Sequence, residues 1–412
     1  MIVLDLSRLL SRAGRETPTG IDRVELAYAE HLLASDPSAG FAAANDIGRL
    51  AWLPRPLAQE FADRIGSAWR GQASAAGHNR GLRRLAWKIR ARLLAGGERG
   101  LISHLRASPE PPVYLLVSHH HLEKRRIFER VRSRGRARFV CLVHDLIPIE
   151  YPEYAKPGQA EHHLRRIETA AALADAIIVN SRVTGEALQP HLDGASRAPP
   201  VLVAPFGTEL RPQIVNSEAS PERPYFVYVS TIEARKNHLL LLNLWRRLAT
   251  ELGAECPRLV LIGQRGWETE NVVDMLDRCP ALRGVVVEHN VLPDTEMVRL
   301  LQAARALLLP SFAEGFGFPV IEGLALGVPA LCSDIPALRE TGGAVPEYLD
   351  PLDGPGWRGA ILDYAAAASP RREAQLQRLV GWQPARWEDH FAMVRRFVSA
   401  APAISDGCRR PG

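Results

Sequence analysis

Two carboxylates and two glycines fall within the twelve residues Ser311-Phe312-Ala313-Glu314-Gly315-Phe316-Gly317-Phe318-Pro319-Val320-Ile321-Glu322. The apolar run ending at Pro310 reads as a buried strand, and the run from Val320 to Val328 reads as a helix opened by Pro319. Strand, glycine loop and helix in that order bring bare main-chain N–H groups to a helix N-terminus, a setting that favours an anion. Gly315 and Gly317 carry no Cβ, so a ligand can approach the main chain closely there. Glu314 stands before the loop, and Glu322 is expected in the first helical turn. A carboxylate beside a phosphate is repelled unless it accepts hydrogen bonds from hydroxyls. A sugar and a ribose both supply hydroxyls, so the combination points to a sugar nucleotide. A glycine turn flanked by two solvated glutamates is the plainer alternative.

Four other segments carry residues of the same kind. Ser230-Thr231-Ile232-Glu233-Ala234-Arg235-Lys236-Asn237-His238 follows a strand end and precedes a helix. Adjacent Arg235 and Lys236 can neutralise a diphosphate without a metal, one as a fork and the other as a point charge. No Asp-x-Asp triplet occurs in the chain, so a metal-bound nucleotide is not indicated. His144-Asp145 closes a strand, and ligands of α/β proteins bind at the carboxyl ends of strands, although a lone histidine there also suits a structural role. Gly20, in Pro18-Thr19-Gly20-Ile21, opens a helix close to Arg23. His119-His120-His121 invites a metal, but adjacent residues of one strand point to opposite faces, so a polar loop rim is expected instead.

These segments need a scaffold, and the chain supplies strands at a regular interval. Ile2–Leu6, Val113–Val117, Arg138–Val143, Ala176–Val179 and Val201–Ala204 alternate with helical stretches, and so do Tyr225–Val229, Arg258–Ile262, Gly284–Glu288 and Ala306–Pro310. Such alternation predicts doubly wound parallel sheets. Residues 206–223 are polar, proline-containing and aperiodic, and read as a linker. A last amphipathic helix spans 386–400, and 401–412 read as a disordered tail.

The Glu314–Glu322 spacing, with the continuation Gly323 to Asp334, resembles the E-x7-E signature of retaining glycosyltransferases of family 4, the bacterial group 1 type with the GT-B fold. The segments at Gly20, His144 and Ser230 fall in that family's order, so the resemblance covers nearly the whole chain. It implies an α/β protein of two Rossmann-like doubly wound parallel-sheet domains facing a cleft. The expected division is an acceptor domain at 1–205 with a basic insertion at about 78–106, the linker, a nucleotide-sugar domain at 224–385, and the last helix crossing back to the first domain. The resemblance assigns catalysis to His144, Glu314, Arg235 and Lys236. It assigns donor binding to Gly20, Asp145, Ser230, Gly315, Phe316, Gly317, Phe318 and Glu322, and it implies no metal and no cofactor. Glu314 then positions the sugar, Glu322 meets the ribose, and no protein nucleophile is required. The Ser230–Asn237 segment is similar to mannosyltransferase-like members, which points to a hexose such as mannose. The expected reaction moves that hexose from a nucleoside-diphosphate sugar to a glycan or polyprenyl-linked acceptor in cell-surface polysaccharide synthesis.

Composition narrows the remaining classes. Of 412 residues 46% are apolar and 24% charged, with a net charge of +5, which suits a globular protein with anionic partners. Five scattered cysteines read as reduced thiols, the start turns acidic too soon for a signal peptide, and no apolar run reaches a membrane span, so a cytoplasmic place is expected. Residues 78–95 hold six Lys or Arg and no acid, with Leu82, Leu85, Ala86, Ile89 and Leu93 on one stripe. That pattern suits docking on an anionic membrane surface, such as the inner face of the plasma membrane, or packing on the first domain. Two other classes compete with the leading one: a nucleotide-sugar epimerase of related two-domain architecture, and a basic nucleic-acid-binding protein. The cations of the latter would lie on one helix without an interleaved aromatic platform, so no nucleic-acid partner is expected.

Overall fold

The computed structural model describes residues 1–71, 75–195, 197–208, 210 and 223–400. Most of the expected linker at 206–223 and the whole tail at 401–412 lie outside the described residues. The chain divides into two compact units, Met1–Ile149 with Gly158–Phe206 and the chain from Glu388, and Glu150–Pro157 with Gly207–Trp387.

The first unit is built on seven strands: β1 (Ile2–Asp5), β2 (Gly40–Ala44), β3 (Leu50–Leu53), β4 (Val113–Leu116), β5 (Arg138–Val143), β6 (Ala176–Val179) and β7 (Val201–Val203). Their order in the sheet is β3-β2-β1-β4-β5-β6-β7, parallel except for the β2–β3 hairpin. β4 and β6 are buried at every position, as expected of strands covered on both faces, and that is why they read as continuous apolar runs. β2, with the sequence GFAAA, has little β-branched or aromatic content and gave no strand signal.

The final helix, Trp387–Ala400, packs into this first unit. His390 is buried there, with Nδ1 against the Ala204 carbonyl at 3.1 Å and Nε2 accepting from the Tyr28 hydroxyl at 2.6 Å. Arg138 donates to the Val398 carbonyl at 2.8 Å.

The basic segment forms the helix Ala75–Leu94, followed by a second helix, Glu98–Arg106. Leu82, Leu85, Ala86, Ile89 and Leu93 are all buried, the helix lying against its predecessor, Arg55–Trp69. The apolar stripe is thus spent on the unit's own core, the packing that the sequence allowed beside membrane docking. What faces outward is Arg83, Arg84, Lys88 and Arg90 with an exposed Trp87.

The second unit holds six parallel strands: β8 (Tyr225–Val229), β9 (Arg258–Ile262), β10 (Val286–His289), β11 (Ala306–Leu309), β12 (Ala330–Ser333) and β13 (Glu347–Leu349). They run in the order β10-β9-β8-β11-β12-β13. Trp245 and Trp357 are fully buried, each with its indole N–H satisfied by a carbonyl, of Pro257 and Asp350 respectively. Both units are therefore doubly wound parallel sheets. The strand order reverses between β1 and β4 in one unit and between β8 and β11 in the other, the positions where such sheets open a crevice at their carboxyl ends.

Candidate functional site

In the second unit the carboxyl ends of β8 and β11 bring together the two most distinctive sequence segments. After β8 the chain enters a tight turn at Ala234–Lys236 and leaves it through Asn237, whose φ of 55° is left-handed. Asparagine tolerates that conformation better than most residues. Its side chain also holds the turn, donating to the Pro310 carbonyl at 3.1 Å and the Pro351 carbonyl at 2.9 Å. The Tyr228 hydroxyl donates to the Lys236 carbonyl at 2.7 Å, and the Phe312 N–H to the Arg235 carbonyl at 2.8 Å.

The turn points both cations at one carboxylate. Lys236 Nζ lies 2.5 Å from Glu314 Oε1, and Arg235 Nη1 is 3.3 Å from Glu314 Oε2 and 2.8 Å from the Ala313 carbonyl. Glu233 lies 3.5 Å from Arg235 Nε. Burial alone pushes the Glu314 carboxyl up, but the Lys236 and Arg235 charges outweigh it and bring it down to about 2. Lys236 is held below its ordinary value by burial and by the neighbouring Arg235, more than Glu314 restores.

Ser230, at the end of β8, places its hydroxyl 3.3 Å from His238 Nε2. His238 is stacked on Tyr228 at 4.6 Å, and burial lowers it to about 3, so it is neutral at physiological pH.

The glycine loop differs in detail from its expected form. Of its two glycines only Gly317 has positive φ, 88°, and a Cβ there would strike the Leu338 side chain. The helix runs Phe318–Ala325 with Gly317 as its cap, so Glu322 sits in the second turn rather than the first, and is buried. Pro319 has no N–H, and the Val320 N–H is already donated to the Gly317 carbonyl at 3.0 Å. At this helix start Pro319 and Val320 therefore leave no free N–H for an anion. Phe316 and Phe318 meet edge to face at 5.1 Å, with the Phe316 carbonyl accepting from Thr341 at 2.5 Å.

The first unit gathers its expected residues at the ends of β1, β4 and β5. Gly20 is the first residue of the helix Gly20–Ser35, in ordinary rather than left-handed backbone, and Thr19 and Asp22 cap that helix reciprocally. Asp22 also draws in Arg8 at 2.5 Å and Arg12 at 3.5 Å. These two arginines, on the short helix Ser7–Arg12, escaped sequence reading because no strand-to-helix signal marks that helix.

His144 is buried. Its Nε2 donates to the Val117 carbonyl at 2.8 Å, and its own N–H donates to His119 Nε2 at 3.1 Å. Burial lowers His144 to about 4, so it is a neutral imidazole with Nδ1 as its lone-pair nitrogen. Asn180, also missed, donates to the His144 carbonyl at 2.9 Å and fixes the strand end. Asp145 Oδ1 accepts from the Ile147 N–H at 3.2 Å, while its carbonyl receives His163 at 2.9 Å.

The histidine triplet is not on a strand. β4 ends at Leu116, and His119–His121 form the following turn, with His121 left-handed at φ 61°. The rings of His120 and His121 consequently lie on the same side, their centroids 4.0 Å apart. The alternation argument fails here because it holds for extended backbone only.

Comparison with known proteins adds sequence and fold neighbours. Residues 211–343 match the model of the family "Glycosyl transferases group 1", a span containing Ser230, Arg235, Lys236, Glu314 and Glu322. O-antigen chain mannosyltransferase B of Escherichia coli is 33% identical over 165 residues, 40% of this chain and 43% of that one. The serotype-specific mannosyltransferase WbdA of Escherichia coli is 28% identical over 225 residues, 50% of this chain and 27% of the other. The chain thus spans less than half the length of these relatives. Among solved structures, Anabaena HepE in complex with UDP and glucose superposes with a TM-score of 0.63 at 14% identity, covering 97% of this chain and 99% of that one. The likeness extends the fold, two Rossmann-like domains of the GT-B kind, along the chain.

Proposed function

We propose that this chain is a retaining glycosyltransferase that moves a hexose, mannose in the first instance, from a nucleoside-diphosphate sugar to a glycan or polyprenyl-linked acceptor in cell-surface polysaccharide synthesis. The observation that carries the reading is the part-buried Arg235–Lys236–Glu314 cluster at the carboxyl ends of β8 and β11. The match to group 1 glycosyl transferases over the same residues supports the class, and the O-antigen mannosyltransferases support the sugar and the pathway type.

In this reading the bond between the anomeric carbon and the β-phosphate oxygen breaks, and its electron pair stays on the phosphate. Arg235 and Lys236 stabilise that developing charge. The acceptor hydroxyl attacks from the face the phosphate leaves, and its proton passes to the departing phosphate oxygen. No covalent intermediate on the protein and no metal is invoked. Glu314 steers the cations and accepts from a sugar hydroxyl, while Glu322 accepts from the ribose. Ser230, Gly315, Phe316, Gly317 and Phe318 line the donor, and Gly20, His144 and Asp145 serve the sugar and acceptor side. Any contact with an anionic membrane is made by the outward cations and Trp87 of the helix Ala75–Leu94, not by an inserted apolar stripe.

The test is release of nucleoside diphosphate from a panel of nucleotide sugars by the full chain, with product anomers assigned by NMR. One donor should be turned over with retention, slowly to water and faster with acceptor, and Arg235→Ala with Lys236→Ala should abolish both. Turnover undiminished in that double variant, or an inverted product, overturns the reading.

A further inference from the structure

We propose that Asp46, His120 and His121 form a binding site for one divalent transition-metal ion of the zinc type, separate from the glycosyl-transfer chemistry. The three residues come from two turns of the first unit, Asp46 between β2 and β3 and the histidines after β4. One ligand atom of each lies within 4.8 Å of the other two, and His121 Nε2 is 3.8 Å from Asp46 Oδ1. A tetrahedral zinc holds nitrogen and oxygen ligands at about 2.0–2.1 Å, which sets neighbouring ligands roughly 3.3 Å apart. The required contraction is therefore on the order of an ångström. It falls to Asp46, whose side chain is 94% exposed and able to swing, while His121 is buried and stays in place.

The backbone on both sides is already fixed for this. Asn45 closes the Asp46 turn, accepting from the Ile47 and Arg49 N–H groups at 3.2 and 2.9 Å. Lys124 Nζ donates to the Asp46 carbonyl at 2.5 Å and its N–H to the His121 carbonyl at 2.9 Å, so the two turns are joined through one residue. The left-handed φ of 61° at His121 is what sets its ring beside that of His120. Left-handed backbone in a residue this size is uncommon and is held by surrounding structure. Two nitrogens and one carboxylate, with a position left for water, select zinc, cobalt or nickel over magnesium, which takes oxygen ligands.

The test is titration of the untagged full chain with Zn²⁺ by calorimetry and with Co²⁺ by its visible d–d absorption. One ion should bind per chain, with no competition from excess Mg²⁺. His120→Gln and His121→Asn should each weaken binding ten- to a hundred-fold, Asn being chosen because it accepts the left-handed backbone. His289→Ala, in the other unit, should bind as the parent does, and circular dichroism checks that each variant is folded. Absence of Zn²⁺ binding to the parent chain overturns the proposal. Parental affinity in folded His120→Gln and His121→Asn, or equal affinity for Mg²⁺, overturns it equally.

Discussion

Glu314→Gln keeps the side chain's shape and removes its charge, so Lys236 and Arg235 are left facing a neutral amide inside the second unit. The carboxyl falls from an ordinary 4.5 to about 2, and a difference of that size corresponds to ~3 kcal/mol of stability. Breaking a buried ion pair from one side costs about 3–5 kcal/mol, which agrees. Because the folded value is the depressed one, this stability is present in full above pH 4.5 and is lost as the pH falls toward 2. Thermal unfolding at pH 7 should show the variant lower by roughly 6–12 °C, at about 2–4 °C per kcal/mol for a domain of 150–250 residues. At pH 3 the gap should narrow. A nucleoside diphosphate restores negative charge beside the same two cations, so added GDP should raise the variant's midpoint more than the parent's. A variant that melts within about 1 °C of the parent at pH 7, or a gap that does not change with pH, would refute the charge assignment.

Other perturbations read other parts of the two units. Gly317→Ala puts a side chain at φ 88° and against Leu338, which should cost on the order of 1–3 kcal/mol in denaturant melts and raise the donor KM; parental values in both would remove the loop from the donor site. Glu322→Gln should weaken nucleoside diphosphate binding in calorimetry by roughly ten-fold, about 1.4 kcal/mol for one weakened hydroxyl contact. EDTA should leave initial transfer rates unchanged, whatever it removes from His120 and His121, and a rate restored only by added metal would contradict cation-only stabilisation of the leaving group. Glu25 is buried, accepts from the Leu9 N–H at 2.9 Å, and is pushed up to about 8 by burial and by Asp5. Its folded form holds a proton the unfolded form has lost, so stability falls as pH rises from 4.5 to 8. Melts of Glu25→Gln should therefore decline less than the parent's between pH 5 and pH 9.

Sequence reading reached the two sheets through their parallel strands, because strands buried on both faces announce themselves as unbroken apolar runs. Tyr225–Val229 and Arg258–Ile262 were placed to the residue for that reason. β2 and β3 were not seen, since GFAAA and LAWL carry neither alternation nor a β-branched run, and their hairpin is an edge feature. The cations of the second unit were legible as a motif, but their partner was not. Nothing in the order of residues says that Arg235 and Lys236 spend their charge on Glu314 in the unliganded protein. Arg8, Arg12 and Asn180 act through side-chain reach across strand ends, and no local pattern encodes that. The histidine triplet lies in a turn, as a loop rim would, but the strand alternation used to argue it does not hold there, because His121 is left-handed.

The distance along the chain between the paired groups explains why. Arg235 and Glu314 are 79 residues apart, and Tyr114 and Asp5, which share a hydrogen bond in the first unit, are 109 apart. In each unit the partners stand at or beyond strands that are neighbours only because the sheet reverses its order, β8 beside β11 and β1 beside β4. β9 and β10 are built on one side of β8 before the chain returns to place β11 on the other. The long connection through β9 and β10 must close before Lys236 meets Glu314, so this ion pair depends on the β8–β11 pairing. The same contact that tunes the candidate site is thus a long-range one, expected to form late in folding. Its loss in Glu314→Gln should accelerate unfolding of the second unit more than it slows folding, as expected of an interaction absent from an early transition state.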